Sequence, residues 1–147
     1  MSNDTTRVLE INRAVLGSKM VRPLYASRPA AGFPAPGDDL VEKPLDLNDL
    51  LIDNPDSTFF VRVEGDSMEG AGIFSGDILV VDRAVSACHG HIVVAAVYGE
   101  MVVKRLSREA GAPVLISENP AYQPIRLNEA DDCFIWGVVT GSVRTFP

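Results

Sequence analysis

The chain is short of the residues that most familiar sites are built from. Only two cysteines, Cys88 and Cys133, occur in 147 residues, and they lie far apart. That excludes a disulfide-stapled scaffold and suits a reducing compartment. Histidine is as scarce: His89 and His91 are the only two, they sit close together, and no Gly-x-Ser-x-Gly context accompanies them. A histidine-based serine triad is therefore not indicated. Cys88, His89 and His91 could suggest a metal site, but a closed site needs further ligands, so this stretch is expected to be a polar turn. No metal and no cofactor are expected. No apolar run approaches the roughly 20 residues of a membrane-spanning helix. No signal-peptide pattern opens the chain either, since the first six residues are polar and charges follow at intervals. A soluble, cytoplasmic protein is the expectation.

Positive charge is also in deficit. Thirteen lysines and arginines face twenty acids, for a net charge of −7. The deficit is uneven: residues 1–31 hold five basic side chains against two acids, so the acidic excess lies wholly in the remainder. An acidic body argues against direct, sequence-specific DNA binding, which needs a basic footprint. The mildly basic first segment is expected to be solvated.

What the chain does have is one domain's worth of short apolar runs, with 46% hydrophobic residues overall. Runs at 59–63, 78–81, 92–97, 101–106, 113–117 and 133–143 are rich in Val and Ile and separated by turn residues. They predict a mostly β fold, a compact rolled or twisted sheet. Tyr98-Gly99-Glu100 reads as a hairpin turn. One short helix is expected after Asp46, which can cap it, with Leu47, Leu50 and Leu51 on one face and Asn54-Pro55 ending it. Before the body, residues 28–37 (RPAAGFPAPG) resist helix and sheet and read as an extended linker, the kind of segment where chains are cut.

The centre of the pattern is residues 59–82, FFVRVEGDSMEGAGIFSGDILVVD, where Ser67 is held at a bend between two predicted strands. A serine hydroxyl is a weak nucleophile without an adjacent base. With histidine lacking, a neutral lysine is the alternative, and neutrality requires burial. Lys104 lies within the run 101–106, on the face of Val102 and Leu106 by strand alternation, while Arg105 points the other way. Periodicity alone favours the plainer reading, a lysine that snorkels from an edge strand to water. Lys19 and Lys43 have polar or linker surroundings.

GDSM at 65–68, SGDILVVD at 75–82, HGHIVVAAV at 89–97 and VVK at 102–104 resemble, in order and spacing, the self-cleaving Ser/Lys peptidases of the LexA and UmuD family. The resemblance runs from about residue 32 to about residue 143. LDLNDLL at 45–51 and SENPAYQPI at 117–125 extend it toward the UmuD branch. Residues 1–31 are too few for the DNA-binding domain of a repressor. The pair matching the family's cut bond is Ala31-Gly32, an Ala-Gly pair of the repressor type where UmuD has Cys-Gly.

The resemblance implies the following. Ser67 is the nucleophile and neutral Lys104 the general base. The backbone N–H groups of Asp66 and Ser67 form the oxyanion hole. Cleavage between Ala31 and Gly32 removes an N-terminal arm, residues 1–31, from a peptidase-like β domain, residues 32–147. A RecA filament on single-stranded DNA stimulates the cut during the SOS response to DNA damage. The product homodimer then serves an error-prone, UmuC-like Y-family polymerase in translesion synthesis. The rival expectations are a regulatory or binding dimer that does not cleave, a LexA-type repressor fragment, and a signal-peptidase-like enzyme, the last disfavoured by the lack of a membrane segment.

Overall fold

Val- and Ile-rich runs punctuated by turn residues need partners on both edges, and in the computed structural model they find them in one antiparallel sheet. The structure describes residues 5–25, 41–127 and 132–147. Ten strands are present among them: β1 Arg7–Arg13, β2 Val21–Tyr25, β3 Val41–Asp46, β4 Thr58–Glu64, β5 Ile78–Asp82, β6 Ile92–Val97, β7 Glu100–Glu109, β8 Ala112–Ile116, β9 Ile125–Arg126 and β10 Cys133–Val143. The six predicted runs correspond to β4, β5, β6, β7, β8 and β10, so the mostly β expectation holds.

Two units are distinguished. Residues 1–14 with 54–147 form one, and residues 15–53 the other. In the larger unit the strand order is β1-β4-β5-β10-β6-β7-β8-β9, and β1 pairs additionally with β7. That pairing closes β1, β4, β5, β10, β6 and β7 into a barrel-like ring, removing edges that would otherwise stay unpaired. Two-residue turns set the register of successive hairpins. Tyr98 and Gly99, both at positive φ, join Val97 to its partner Glu100, and Ala110 and Gly111 do the same for Glu109 and Ala112.

The closed sheet buries two sets of side chains. Val61, Val63, Met68, Ile73, Leu79, Val81, Val94 and Val103 pack as one cluster. Val93, Ala95, Val102, Leu106, Leu115 and Val138, drawn from β6, β7, β8 and β10, are among those of the second. Each fully buried side chain of this size contributes roughly 1.5–3 kcal/mol. Lys104 lies on the strand face of the second set.

The smaller unit holds the β2–β3 ribbon and helix α1, Leu47–Leu51. Asp46 caps α1 as expected, its Oδ1 accepting from the Asn48 N–H at 2.8 Å. The leucine face is not a buried one, since Leu47 and Leu50 are exposed.

The first segment departs from expectation. It is not simply solvated: β1 pairs with β4 from Arg7↔Glu64 to Arg13↔Phe59, and the Arg7 guanidinium bridges Glu64 at 3.1 Å and Glu100 at 3.3 Å. The expected linker, the Ala31-Gly32 pair and the arm–domain boundary there all lie outside the described residues.

The chain's end is fastened to the barrel by a two-pronged ion pair. Arg144 Nε and Nη2 meet Asp77 Oδ1 and Oδ2 at 2.7 and 2.8 Å, and Asp77 is buried. The Arg144 hydrogen bonds, with the Phe74 N–H, hold the Asp77 carboxyl below the usual carboxylate range against the opposing effect of burial. A lowered native value means the pair stabilises fully above about pH 4 and the contribution is lost as the pH falls through the native value. Arg144→Ala is therefore expected to move the acid-unfolding midpoint, followed by circular dichroism, to higher pH. An unchanged midpoint would show that the pair does not matter to the fold.

Candidate functional site

Ser67 follows β4 in a tight turn. Gly65 opens it at φ 108°, a conformation that suits glycine, and a 3-10 turn at Glu69–Ala71 closes it. The Met68 side chain is fully buried in the first core cluster, which anchors the turn from below. Ser67 itself is 0% exposed. Its Oγ accepts a hydrogen bond from the Thr6 N–H at 2.8 Å.

Lys104 lies mid-strand in β7, between β6 and β8, paired with Val93 on one side. It is 2% exposed, so the snorkelling alternative does not hold. Arg105, on the opposite face as expected, pairs with Glu118 and donates to the Gly90 carbonyl. Among the described residues no carboxylate forms an ion pair with Lys104. Its Nζ donates to Ser117 Oγ at 2.7 Å and lies 5.4 Å from the centroid of the Tyr122 ring. Burial lowers the Lys104 pKa from the ordinary lysine value, and the charge of Glu100 opposes this only in part.

Ser67 and Lys104 are not joined by a hydrogen bond. Two bridges bring them together instead. The first is Thr6, whose N–H reaches Ser67 while its carbonyl accepts from the N–H of Val103, the neighbour of Lys104. The second is Tyr122, whose ring faces Lys104 while its hydroxyl donates to Asp66 Oδ1 at 2.6 Å.

Asp66 is held at further points. Its carbonyl accepts from Asn119 Nδ2 at 3.1 Å and from the Glu69 N–H at 3.3 Å. In a trans peptide C=O and N–H point oppositely, so fixing the Asp66 carbonyl also fixes the direction of the Ser67 N–H. The Gly70 N–H donates to the Glu118 carbonyl at 2.9 Å, adding a backbone clamp between the two loops. The segment from Ser117 to Tyr122 thus touches both the serine turn and the lysine.

Those three side chains, Ser117, Asn119 and Tyr122, had no assigned role at the sequence level. A signal for Ser117 was present. The two-residue turn at Ala110-Gly111 pairs Glu109 with Ala112, and counting back along that hairpin puts position 117 across from Lys104. Asn119 and Tyr122 lie in a loop whose path no strand register dictates.

The histidines of the polar turn accept from backbone N–H groups, one within the turn and one in β7. His91 Nδ1 accepts from the Cys88 N–H and His89 Nδ1 from the Arg108 N–H. Among the described residues no group of three or more metal-ligating side chains is gathered. No helix among them is long and apolar enough to cross a membrane.

Known proteins are similar over most of this chain. The family model described as Peptidase S24-like matches residues 23–140. Protein ImpA of Salmonella typhimurium is 45% identical over 126 residues, covering 82% of this chain and 81% of that protein. Protein MucA of Escherichia coli is 42% identical over 128 residues, covering 85% and 86%. The LexA repressor of Bordetella parapertussis is 40% identical over 131 residues, covering 88% of this chain but 59% of the repressor. The chain belongs to the Peptidase S24-like family, the peptidase family of LexA and the UmuD-type SOS mutagenesis proteins.

Proposed function

We propose that this protein is a self-cleaving serine peptidase that cuts its own chain between Ala31 and Gly32, with Ser67 as nucleophile and Lys104 as general base. The observation that carries this reading is a mid-sheet lysine, 2% exposed and without an ion-pair partner among the described residues, tied through Thr6 and Tyr122 to the turn holding a buried serine. Burying an ammonium that no carboxylate balances is costly, and a lysine kept neutral by that cost can take a proton.

The reaction follows from those roles. Lys104 Nζ takes the Ser67 hydroxyl proton as Oγ attacks the Ala31 carbonyl carbon. The Asp66 and Ser67 N–H groups stabilise the oxyanion, such donors being worth roughly 3–4 kcal/mol each. The C–N bond breaks, Lys104 returns the proton to the Gly32 amine, and water then hydrolyses the Ser67 ester with Lys104 again as base. Thr6 has to withdraw first, because its N–H occupies Ser67 Oγ.

That requirement gives the stimulus a physical task. On this reading a RecA filament on single-stranded DNA in the cytoplasm favours the state in which the segment before Gly32 replaces Thr6 beside Ser67. The cleaved homodimer of residues 32–147 then acts as accessory to a UmuC-like Y-family polymerase in translesion synthesis. The acidic charge of the chain suits work through protein partners.

The occupied hydroxyl also favours a second reading, a regulatory dimer of the same fold that does not cleave. Incubation of the purified chain with RecA, single-stranded DNA and a nucleoside triphosphate separates the two. Appearance of the 32–147 product, faster than without the filament and absent from Ser67→Ala, is the expected result. A chain that stays whole with an active filament would favour the non-cleaving dimer.

A further inference from the structure

The Lys104 amine has two rotatable N–H groups and one lone pair when neutral, and only the lone pair can accept a proton. An unrestrained amine would spend much of its time with that lone pair misdirected. Ser117 Oγ, 2.7 Å from Nζ, is the hydrogen-bond acceptor that Lys104 meets among the described residues. Its position does not depend on a loose loop. The hairpin of β7 and β8 pairs Arg105 with Ile116, so the register delivers Ser117 opposite Lys104, and Ser117 is itself buried.

Resting on the Ser67–Lys104 reading above, we propose that Ser117 is a positioning residue for the general base: its Oγ accepts one N–H of the amine and so aims the lone pair toward Ser67. The same oxygen still accepts once Nζ has taken the Ser67 proton. Hydrogen bonds to a charged donor are stronger than those to a neutral one, so Ser117 favours the ammonium formed during the reaction. Two further groups act on Lys104: Glu100 on its own strand, which pairs with Arg7, and the Tyr122 ring, whose hydroxyl donates to Asp66.

Two consequences follow for a chain lacking the hydroxyl. The fully deprotonated amine is less well aimed, so the plateau rate at high pH falls, by roughly 10- to 100-fold if one oriented hydrogen bond is lost. The ammonium loses more than the amine does, so the Lys104 titration moves to lower pH, by roughly half to one pH unit. A residue that merely filled space would change neither.

The test uses four full-length chains, wild type and Ser117→Ala, Ser117→Val and Ser117→Thr, with self-cleavage followed by intact mass across alkaline pH. Ser117→Ala and Ser117→Val are expected to show the lowered plateau with the midpoint moved to lower pH, and Ser117→Thr, which keeps the hydroxyl, to recover to within about threefold. Val and Thr have nearly the same shape, so their difference isolates the hydroxyl even if Ala packs poorly. A second readout does not need cleavage. In a Ser67→Ala background the three lysines are labelled, and Lys104 is titrated by NMR with and without Ser117→Val. A lowered Lys104 midpoint supports the assignment whether or not the wild type cuts itself. Absence of wild-type cleavage even with an active RecA filament defeats the peptidase reading. Equal plateaus for Val and Thr, or an unmoved Lys104 midpoint, overturn the role of Ser117.

Discussion

Lys104→Met is expected to slow self-cleavage by roughly a hundred- to ten-thousand-fold, the usual contribution of a positioned general base, while leaving the fold intact. Methionine has a similar length and belongs in the surroundings of Val93, Val102 and Leu106 better than an amine does. Stability should therefore not fall. The pH dependence gives the sign. Lys104 titrates below the ordinary lysine range in the native state, so between that lowered value and about pH 10.4 the unfolded chain binds more protons than the folded one. The cost of burying Lys104 is present in full below that lowered value and is relieved as the pH rises through the window. Lys104→Met should accordingly melt at or above the wild-type temperature at pH 7, with the advantage shrinking toward pH 10. The wild-type cleavage rate should rise over the same window and level off below the ordinary lysine value. A Lys104→Met chain that cleaves at the wild-type rate would remove the base assignment.

The second large effect is expected from Gly70→Ala. A Cβ on Gly70 would stand 2.5 Å from the Glu118 carbonyl oxygen, a backbone atom that cannot turn aside. Relief requires the loop from Glu118 to Tyr122 to move off the serine turn. That motion loosens the clamps on Asp66 and the seating of the Tyr122 ring against Lys104 together. Overpacking of this kind costs about 1–3 kcal/mol. Cleavage should fall further than the stability loss alone explains, because unfolded chain is still a minor species after such a loss. Thermal melting and the cleavage rate, measured at a temperature where both chains are folded, separate the contributions. Unchanged values of both would show that the two loops are not held against one another.

Much of the barrel was legible because its strands carry their own signal. β6 and β10 coincide with the predicted runs, and β4, β5, β7 and β8 differ from them by a few residues at the ends. Alternation along β7 also placed Lys104 on an interior face, although it could not decide whether β7 was covered. That was decided by β8, which lies beside β7 and removes the edge from which a lysine could snorkel. The Asp46 cap was legible because capping is a local matter.

β1 was not legible. Arg7–Arg13 alternates poorly, its pairing with β4 shifts register between Val8 and Glu10, and Leu9 and Ile11 stay partly or largely exposed. Its strand character comes from the open edges of β4 and β7, distant in sequence. The consequence for the site is direct, since Thr6 at the entrance to β1 is the residue on Ser67. Asn119 and Tyr122 were hidden for a related reason: a polar loop reads as solvated until the serine turn it clamps is known.

The most direct test of the account is the intact mass of purified wild type after incubation at alkaline pH, beside Ser67→Ala treated identically. Alkaline buffer deprotonates Lys104 without any partner. The account predicts that the wild type alone yields two species corresponding to residues 1–31 and 32–147. A wild type that stays whole even when RecA, single-stranded DNA and a nucleoside triphosphate are added, or a Ser67→Ala chain that splits at the same bond, would contradict it.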